Sequence, residues 1–323
     1  MTKKNSIGTQ KIVAVLALVL LYLFFSIFGN NFFQYSTFIS ILDSSYYIGF
    51  MAIGVTFVIT TGGMDLSIGT VCICCSLLGG TLFKAGVPMP FALCITILIG
   101  LLFGLANGLM VSVMRLPSFI ASLGTMMVSR GLGSIITKTA SVTFPQAENS
   151  GAWFRNIFKF KAAGLPAAGI PTGFILLIAL AILMAVIMNK TRPGRYLLAM
   201  GSNKEAARLS GVNIVKWETF AYIISGGFAA LAGISYAAVY STLMPGTGNG
   251  FELDAIAGVV IGGTSLSGGN GSISGTLIGI FIMSVLKTGL PFVGLQPHYQ
   301  LLITGIVLIG AVFADVLNKR KRK

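Results

Sequence analysis

Charge is scarce in this 323-residue chain: only 9% of it is Asp, Glu, Lys or Arg, against about a quarter in soluble domains. So few charges cannot cover a water-facing surface of this size, which excludes an ordinary soluble fold. Acids are scarcest, 8 against 22 basic residues. The single histidine, His298, lies in a Gln296-Pro297-His298-Tyr299 turn and reads as a loop or interface residue rather than a metal ligand. No H-E-x-x-H and no G-x-x-x-x-G-K-[ST] occurs, so neither a zinc peptidase nor a P-loop ATPase is encoded here. No catalytic residue, metal site or cofactor is expected on the chain. Cysteines number four, Cys72, Cys74, Cys75 and Cys94. Cys72 and Cys75 form a C-x-x-C inside an apolar segment with no second pair, which fits packing and fixes no redox compartment.

What the chain has is apolar length: 55% of it is hydrophobic and the mean hydropathy is +0.89. Runs such as Ile12–Phe28, Pro90–Val113 and Ile170–Met188 approach or reach the ~20 residues of a spanning helix. The expected fold is an all-α polytopic membrane protein, a single transmembrane unit over 1–323. Its ten spans fall near 12–28, 45–60, 67–84, 90–113, 117–138, 170–189, 218–240, 253–265, 273–290 and 298–316. The first run exceeds a signal-peptide core and no A-x-A-like site follows, so it reads as a retained span.

The formal charge of +14 would point to nucleic acid in a soluble protein, but the cations sit at segment ends. Lys3, Lys4 and Lys11 precede the first span. Lys190, Arg192, Arg195, Lys204, Arg208 and Lys216 follow the sixth, and Lys319–Lys323 follow the last. Positive charge collects on cytoplasmic loops. Both termini (1–11 and 317–323) and the loop 190–217 are therefore expected inside, with 139–169 outside. Lys138, Arg155, Lys159 and Lys161 disagree, falling outside against only Glu148. Trp153, Phe154, Phe158 and Phe160 interleave with them, which fits either a helix lying in the interface or a partner surface. Gly100, Gly104 and Gly108 in the fourth span, and Gly271, Gly275 and Gly279 in the ninth, present small faces for close helix packing. Spans five apart with matching faces raise an inverted five-plus-five repeat.

Two segments break the helical pattern. The first, Thr60-Thr61-Gly62-Gly63-Met64-Asp65-Leu66-Ser67, sets an acid between apolar runs. Irregular backbone at membrane depth survives where protein or a watery cavity satisfies it. Asp65 either caps the third helix or marks a path, and the two roles can coexist. The second break, Gly262-Gly263-Thr264-Ser265-Leu266-Ser267-Gly268-Gly269-Asn270-Gly271, is hydroxyl-rich and uncharged. It suits either a neutral polyhydroxylated solute or a plain loop at the cytoplasmic rim. The two breaks do not fall at equivalent places of a five-plus-five plan. Asp43, Asp65, Glu252, Asp254 and Lys287 are the acids and bases noted near spans, a thin supply for proton coupling.

Within 190–217, Ser202-Asn203-Lys204-Glu205-Ala206-Ala207-Arg208-Leu209-Ser210-Gly211 predicts a short closed helix. Ser202 and Glu205 would form its capping box and Gly211 its C′ stop. The helix rests either on a partner or on its own protein. Glu205-Ala206-Ala207 and then Gly211 resembles the E-A-A-x-x-x-G element of ATP-binding-cassette importer permeases. Lys190–Arg195, Ala199–Asn203, Thr61–Ser67, and Glu252–Ala257 running into Gly262–Gly269 resemble the ribose/galactose-type branch of that family. Met64 departs from the isoleucine common there, and 140–168 matches no pattern.

The resemblance implies a multi-pass permease of the bacterial inner membrane that imports a sugar, a monosaccharide above all. Its partners would be a cytoplasmic ATPase subunit, an extracytoplasmic sugar-binding protein and a second permease copy. Ser202, Asn203, Glu205, Ala206, Ala207 and Gly211 would couple to the ATPase. Thr61, Gly62, Gly63, Asp65, Ser67, Gly262, Gly263, Thr264, Ser265, Ser267 and Gly268 would line the path or break the helices, with Glu252 and Asp254 on the outer side. The alternative is an ion-coupled secondary transporter or channel for a small polar solute.

Overall fold

The computed structural model describes residues 3–146, 151–161, 166 and 168–320. Glu148, residues 321–323, and the side chains of Lys3, Lys4, Lys319 and Arg320 lie outside the described residues. Among the described residues the chain is helical apart from one two-residue strand pair and an isolated bridge between Phe160 and Ile170. In order come α1 (Lys3–Phe28), α2 (Tyr35–Thr60), α3 (Ile68–Lys84), α4 (Met89–Ser112), α5 (Ser118–Thr137), β1 (Val142–Thr143), α6 (Thr172–Lys190), α7 (Arg192–Ser202), α8 (Lys204–Leu209), α9 (Ile214–Tyr240), β2 (Thr242–Leu243), α10 (Phe251–Ile261), α11 (Ile273–Gly289) and α12 (Pro297–Arg320). Proline opens α4 and α7, where a first-turn residue needs no N–H. The strands pair antiparallel, Val142 opposite Leu243 and Thr143 opposite Thr242.

Among the described residues, seven helices are long and apolar enough to cross a membrane: those in 11–28, 35–60, 89–112, 118–137, 172–190, 214–240 and 273–293. The expected spans at 67–84 and 298–316 fall on shorter apolar helices, 68–84 and 298–313. The span expected at 253–265 falls on α10. Gly262 and Gly263 end α10 after 11 residues, so it is about 16 Å long, half a bilayer's hydrocarbon. The stretch expected as a tail at 1–11 is helical from Lys3, where α1 begins, and the apolar span itself starts at Lys11.

Burial divides the bundle into centre and rim. The apolar window of α2 is 89% buried and that of α9 is 61%, against 11% for α1. Helix α2 packs on α9, α10 and α11, and α9 packs on α2, α3 and α4. The pairs match across the two halves. As α3 lies against α4 and α5, so α10 lies against α11 and α12, and α4 runs along α9 as α11 runs along α2.

The glycine face of α4 meets backbone: Gly226 and Ala230 oppose Gly100, Tyr222 opposes Gly104, and Thr219 opposes Gly108. Gly275 and Gly279 press instead on Gly262 and Gly258 of α10, and Gly271 on Thr60. The two glycine faces thus serve non-equivalent contacts.

Two cations of the expected outer loop, Arg155 and Lys159, are bound to the protein. A 3-10 turn at Ala152–Ile157 buries Phe154, and Phe158 is buried just after it, leaving Trp153 and Phe160 exposed. Arg155 donates Nε to the Ala238 carbonyl at 2.9 Å, and Lys159 pairs with Asp43 at 2.5 Å. Partial burial pushes the Arg155 guanidinium below its ordinary range. Two of the four cations that disagreed with the charge pattern therefore serve internal contacts.

Candidate functional site

Helix α8 is closed at both ends by its own sequence. The expected Ser202 box is corrected: Ser202 ends α7 and gives its Oγ–H to the Leu198 carbonyl. Asn203 has extended backbone (φ −158°, ψ 102°), and its Oδ1 accepts the Ala206 N–H at 2.9 Å. The N-cap is therefore one residue later than the Ser/Glu spacing indicates, which places Glu205 at N2. Glu205 pairs with Arg208 on the exposed face. The guanidinium holds the Glu205 carboxyl below its ordinary range.

At the other end Gly211 takes φ +83°. Gly211 N–H bonds to Arg208 O at 3.0 Å and Val212 N–H to Ala207 O at 3.1 Å, the two bonds of a Schellman stop. Ala207 is buried, while Leu209 is 76% exposed. Lys204 reaches both oxygens of the buried Glu218 on α9 at 2.8 Å. The helix is fixed to the bundle by one side and open on the other.

The two helix breaks meet at this same end. Gly269 N–H bonds to the Thr60 carbonyl at 3.0 Å, and Gly201 at the end of α7 lies against both groups. A Cβ on Gly268 would stand 2.7 Å from Gly62 N and 3.0 Å from Gly201 Cα. Gly62, Gly268 and Gly269 all have positive φ, +84°, +78° and +73°, where side chains are strained. Glycine is required here because three backbones share one junction. Thr61 and Thr264 are buried, bonded to Val58 O and by Ser272 N–H respectively. Gly63 lies under the Tyr222 hydroxyl, Gly262 lies on Gly275, and Ser265 O accepts Gly268 N–H. Ser267 is exposed. An open cleft of about 470 Å³ adjoins the junction, lined by Lys11, Asn189, Ser202, Asn270, Ser272 and Ser274 among others.

Above the junction lies a buried polar network. Asp65 Oδ1 accepts Ser67 N–H at 3.0 Å and Ser67 Oγ–H at 2.6 Å, and its Oδ2 accepts Ser225 Oγ–H of α9 at 2.6 Å. Ser67 Oγ in turn accepts from Asn107 of α4 at 2.9 Å, and Asn107 Oδ1 accepts Thr125 Oγ1–H of α5 at 2.5 Å. Asp65 thus closes the turn before α3 rather than bonding the helix's own second or third N–H. Both its oxygens are occupied, so it clamps the start of α3 to α9. Asn107, Thr125 and Ser225 were missed in the sequence. Their signal was that each is a lone polar residue inside an apolar run.

At the opposite end of α10, Asp254 pairs with Lys287 at 2.5 Å, and the ammonium lies over the Phe251 and Tyr47 rings at 5.0 and 5.7 Å. Glu252 has turned away from Asp254. Its Oε2 is buried without a hydrogen-bond partner among the described residues and lies beside Gly69 near the start of α3. A Cβ on Gly69 would also meet Gly248 O at 3.0 Å, so the N-terminal ends of α3 and α10 adjoin. Arg130 of α5 was also missed, and it is exposed.

A family model described as "Branched-chain amino acid transport system / permease component" matches residues 37–312. Over 95% of its length the chain is 35% identical to the ribose import permease protein RbsC of Escherichia coli K12, covering 94% of that protein. It is 36% identical to RbsC of Bacillus subtilis over 95% and 92% of the two chains. It is 32% identical to the autoinducer 2 import system permease protein LsrC of Yersinia pestis over 94% and 83%. No solved structure matches.

Proposed function

The chain belongs to the import-permease family that matches its residues 37–312, and from that premise we propose that it forms the translocation path for a sugar in an ATP-binding-cassette importer. It is a multi-pass protein of the bacterial inner membrane. The relatives that match nearly end to end are ribose and autoinducer 2 permeases, which favours a monosaccharide over an amino acid. The end carrying α8 is cytoplasmic, as are both termini, and the ten apolar helices make an inverted five-plus-five plan with α3 and α10 as its broken members. The exchange of partners between the two halves supports that plan. Under it the counterpart of the Asp65 break is the segment between α9 and α10, not the glycine-rich segment after α10.

The carrying observation is α8. It is capped at both ends, pinned to α9 through Lys204–Glu218, and directs Glu205, Arg208 and Leu209 outward. So short a helix is marginal in water, and this one is held in place for a partner. That partner is a separate ATPase subunit, which hydrolyses ATP while this chain carries no cofactor. Movement of α8 would reach the path directly, because α7 ends on the Thr60–Gly269 junction. A second permease copy completes the path, and an extracytoplasmic binding protein delivers the sugar at the side of 139–169, Glu252 and Asp254.

Site-specific crosslinking tests the docking. A photoreactive residue at Leu209 should capture the cognate ATPase, whereas one at Trp153 should not. Equal capture from both positions would refute it.

A further inference from the structure

The exposed face of α5 is apolar around Met127, Val128 and Ile135, which are 65%, 56% and 73% exposed. Arg130 interrupts it about 10 Å in from the nearer helix end. An arginine at such depth costs several kcal/mol against lipid unless it faces a polar group or water. Its guanidinium makes no hydrogen bond within the described residues, and it borders a notch whose other walls include Thr70, Ser129, Gly248 and Asn249. Thr70 and Ser129 are buried and bonded to each other at 2.8 Å, while Asn249 is exposed. Glu252, with its unpartnered buried oxygen, sits behind this wall at the start of α10, beside Gly69. The notch holds about 10 Å³ of free space, room for about one water.

Arg130, Asn249 and the unpartnered Glu252 oxygen thus lie where the short helices α3 and α10 begin. Resting on the importer assignment, we infer that Arg130, Asn249 and Glu252 form the mid-path contact for the solute. The notch is narrow in this conformation. Arg130 and Asn249 would donate to hydroxyl oxygens of an uncharged polyol, and Glu252 would accept from a hydroxyl.

The experiment is thiol labelling of Arg130→Cys in a Cys94→Ala background, reconstituted with the ATPase and binding protein. The remaining cysteines are buried. A charged, water-borne methanethiosulfonate should react at least about tenfold faster there than with Ile182→Cys on the exposed face of α6, because the reaction needs a hydrated thiolate. Arg130→Cys should itself lower uptake, and a bulky reagent on it should remove what remains. Asn249→Cys, on the facing wall, serves the same test if the arginine variant fails to assemble. Labelling no faster than at Ile182→Cys, or full modification with uptake unchanged, would overturn the inference. Uptake by the unsubstituted complex in the same vesicles tests the importer assignment independently, so failure of one is distinguishable from failure of the other.

Discussion

Removing the Asp65 carboxylate would strand three donors at once: Ser67 N–H, Ser67 Oγ–H and Ser225 Oγ–H. Each lost bond inside a helix bundle is worth about 0.6–1.7 kcal/mol, and a stranded buried donor can cost more. Asp65→Ala should therefore destabilise the protein by about 3 kcal/mol, mostly by freeing the start of α3 from α9. Asp65→Asn is the informative partner. Its amide oxygen still accepts both Ser67 donors, and its NH2 can donate to Ser225 Oγ, which is free to turn and accept. It should cost at most about 1 kcal/mol.

The assay is thermal unfolding followed with a thiol-reactive fluorophore in a Cys94→Ala background, since Cys72 and Cys75 are wholly buried and report unfolding. At about 2–4 °C per kcal/mol, Asp65→Ala should melt roughly 6–12 °C below its parent. Asp65→Asn should melt close to the parent and retain uptake. If both variants melted normally and both lost uptake, the carboxylate would be acting on the solute, and its role as a clamp would be refuted.

Three further outcomes are expected. Gly226→Val would drive its side chain into Gly100 and Gly104, costing about 1–3 kcal/mol of overpacking and lowering membrane yield, whereas Gly124→Ala, with open space around it, should be neutral in a blot of membrane fractions. Lys159→Ala leaves Asp43 buried and unpaired, a loss of about 3 kcal/mol; adding Asp43→Asn should recover most of it in a double-mutant cycle of melting temperatures. Asn203→Ala removes the α8 cap and Gly211→Ala strains its stop, each costing that helix about 1 kcal/mol, so both should lower ATPase stimulation while leaving the bundle's melting temperature unchanged.

Most of the bundle was legible in the sequence because apolar length and glycine spacing report directly on membrane depth and helix approach. Helix α10 was not. The apolar stretch Ala255–Ile261 carries no polar residue to end it, and what stops it is backbone: Gly263 with φ +87°, and Gly262 pressed on Gly275. Hydropathy cannot register such a stop. The α8 cap shifted by one residue for a related reason, since Ser202 and Asn203 cap equally well by composition and only the continuation of α7 through Ser202 decides between them. Asp65 was legible as an exception, but its partner Ser225 lies 160 residues away, and Asn107, which donates to Ser67, lies 40 residues from it, both beyond any local pattern. That the two glycine-rich breaks touch follows from tertiary packing alone.

The central claim is that this chain is a path that moves solute only when a separate ATPase turns over. Its most direct measurement is uptake of a radiolabelled monosaccharide into proteoliposomes holding the permease and its cognate ATPase, with sugar-loaded binding protein outside and ATP inside. The account predicts uptake that needs all three components, stops when ATP is withheld and is indifferent to collapsing proton and sodium gradients. Uptake by the permease alone, driven by either gradient, would contradict it.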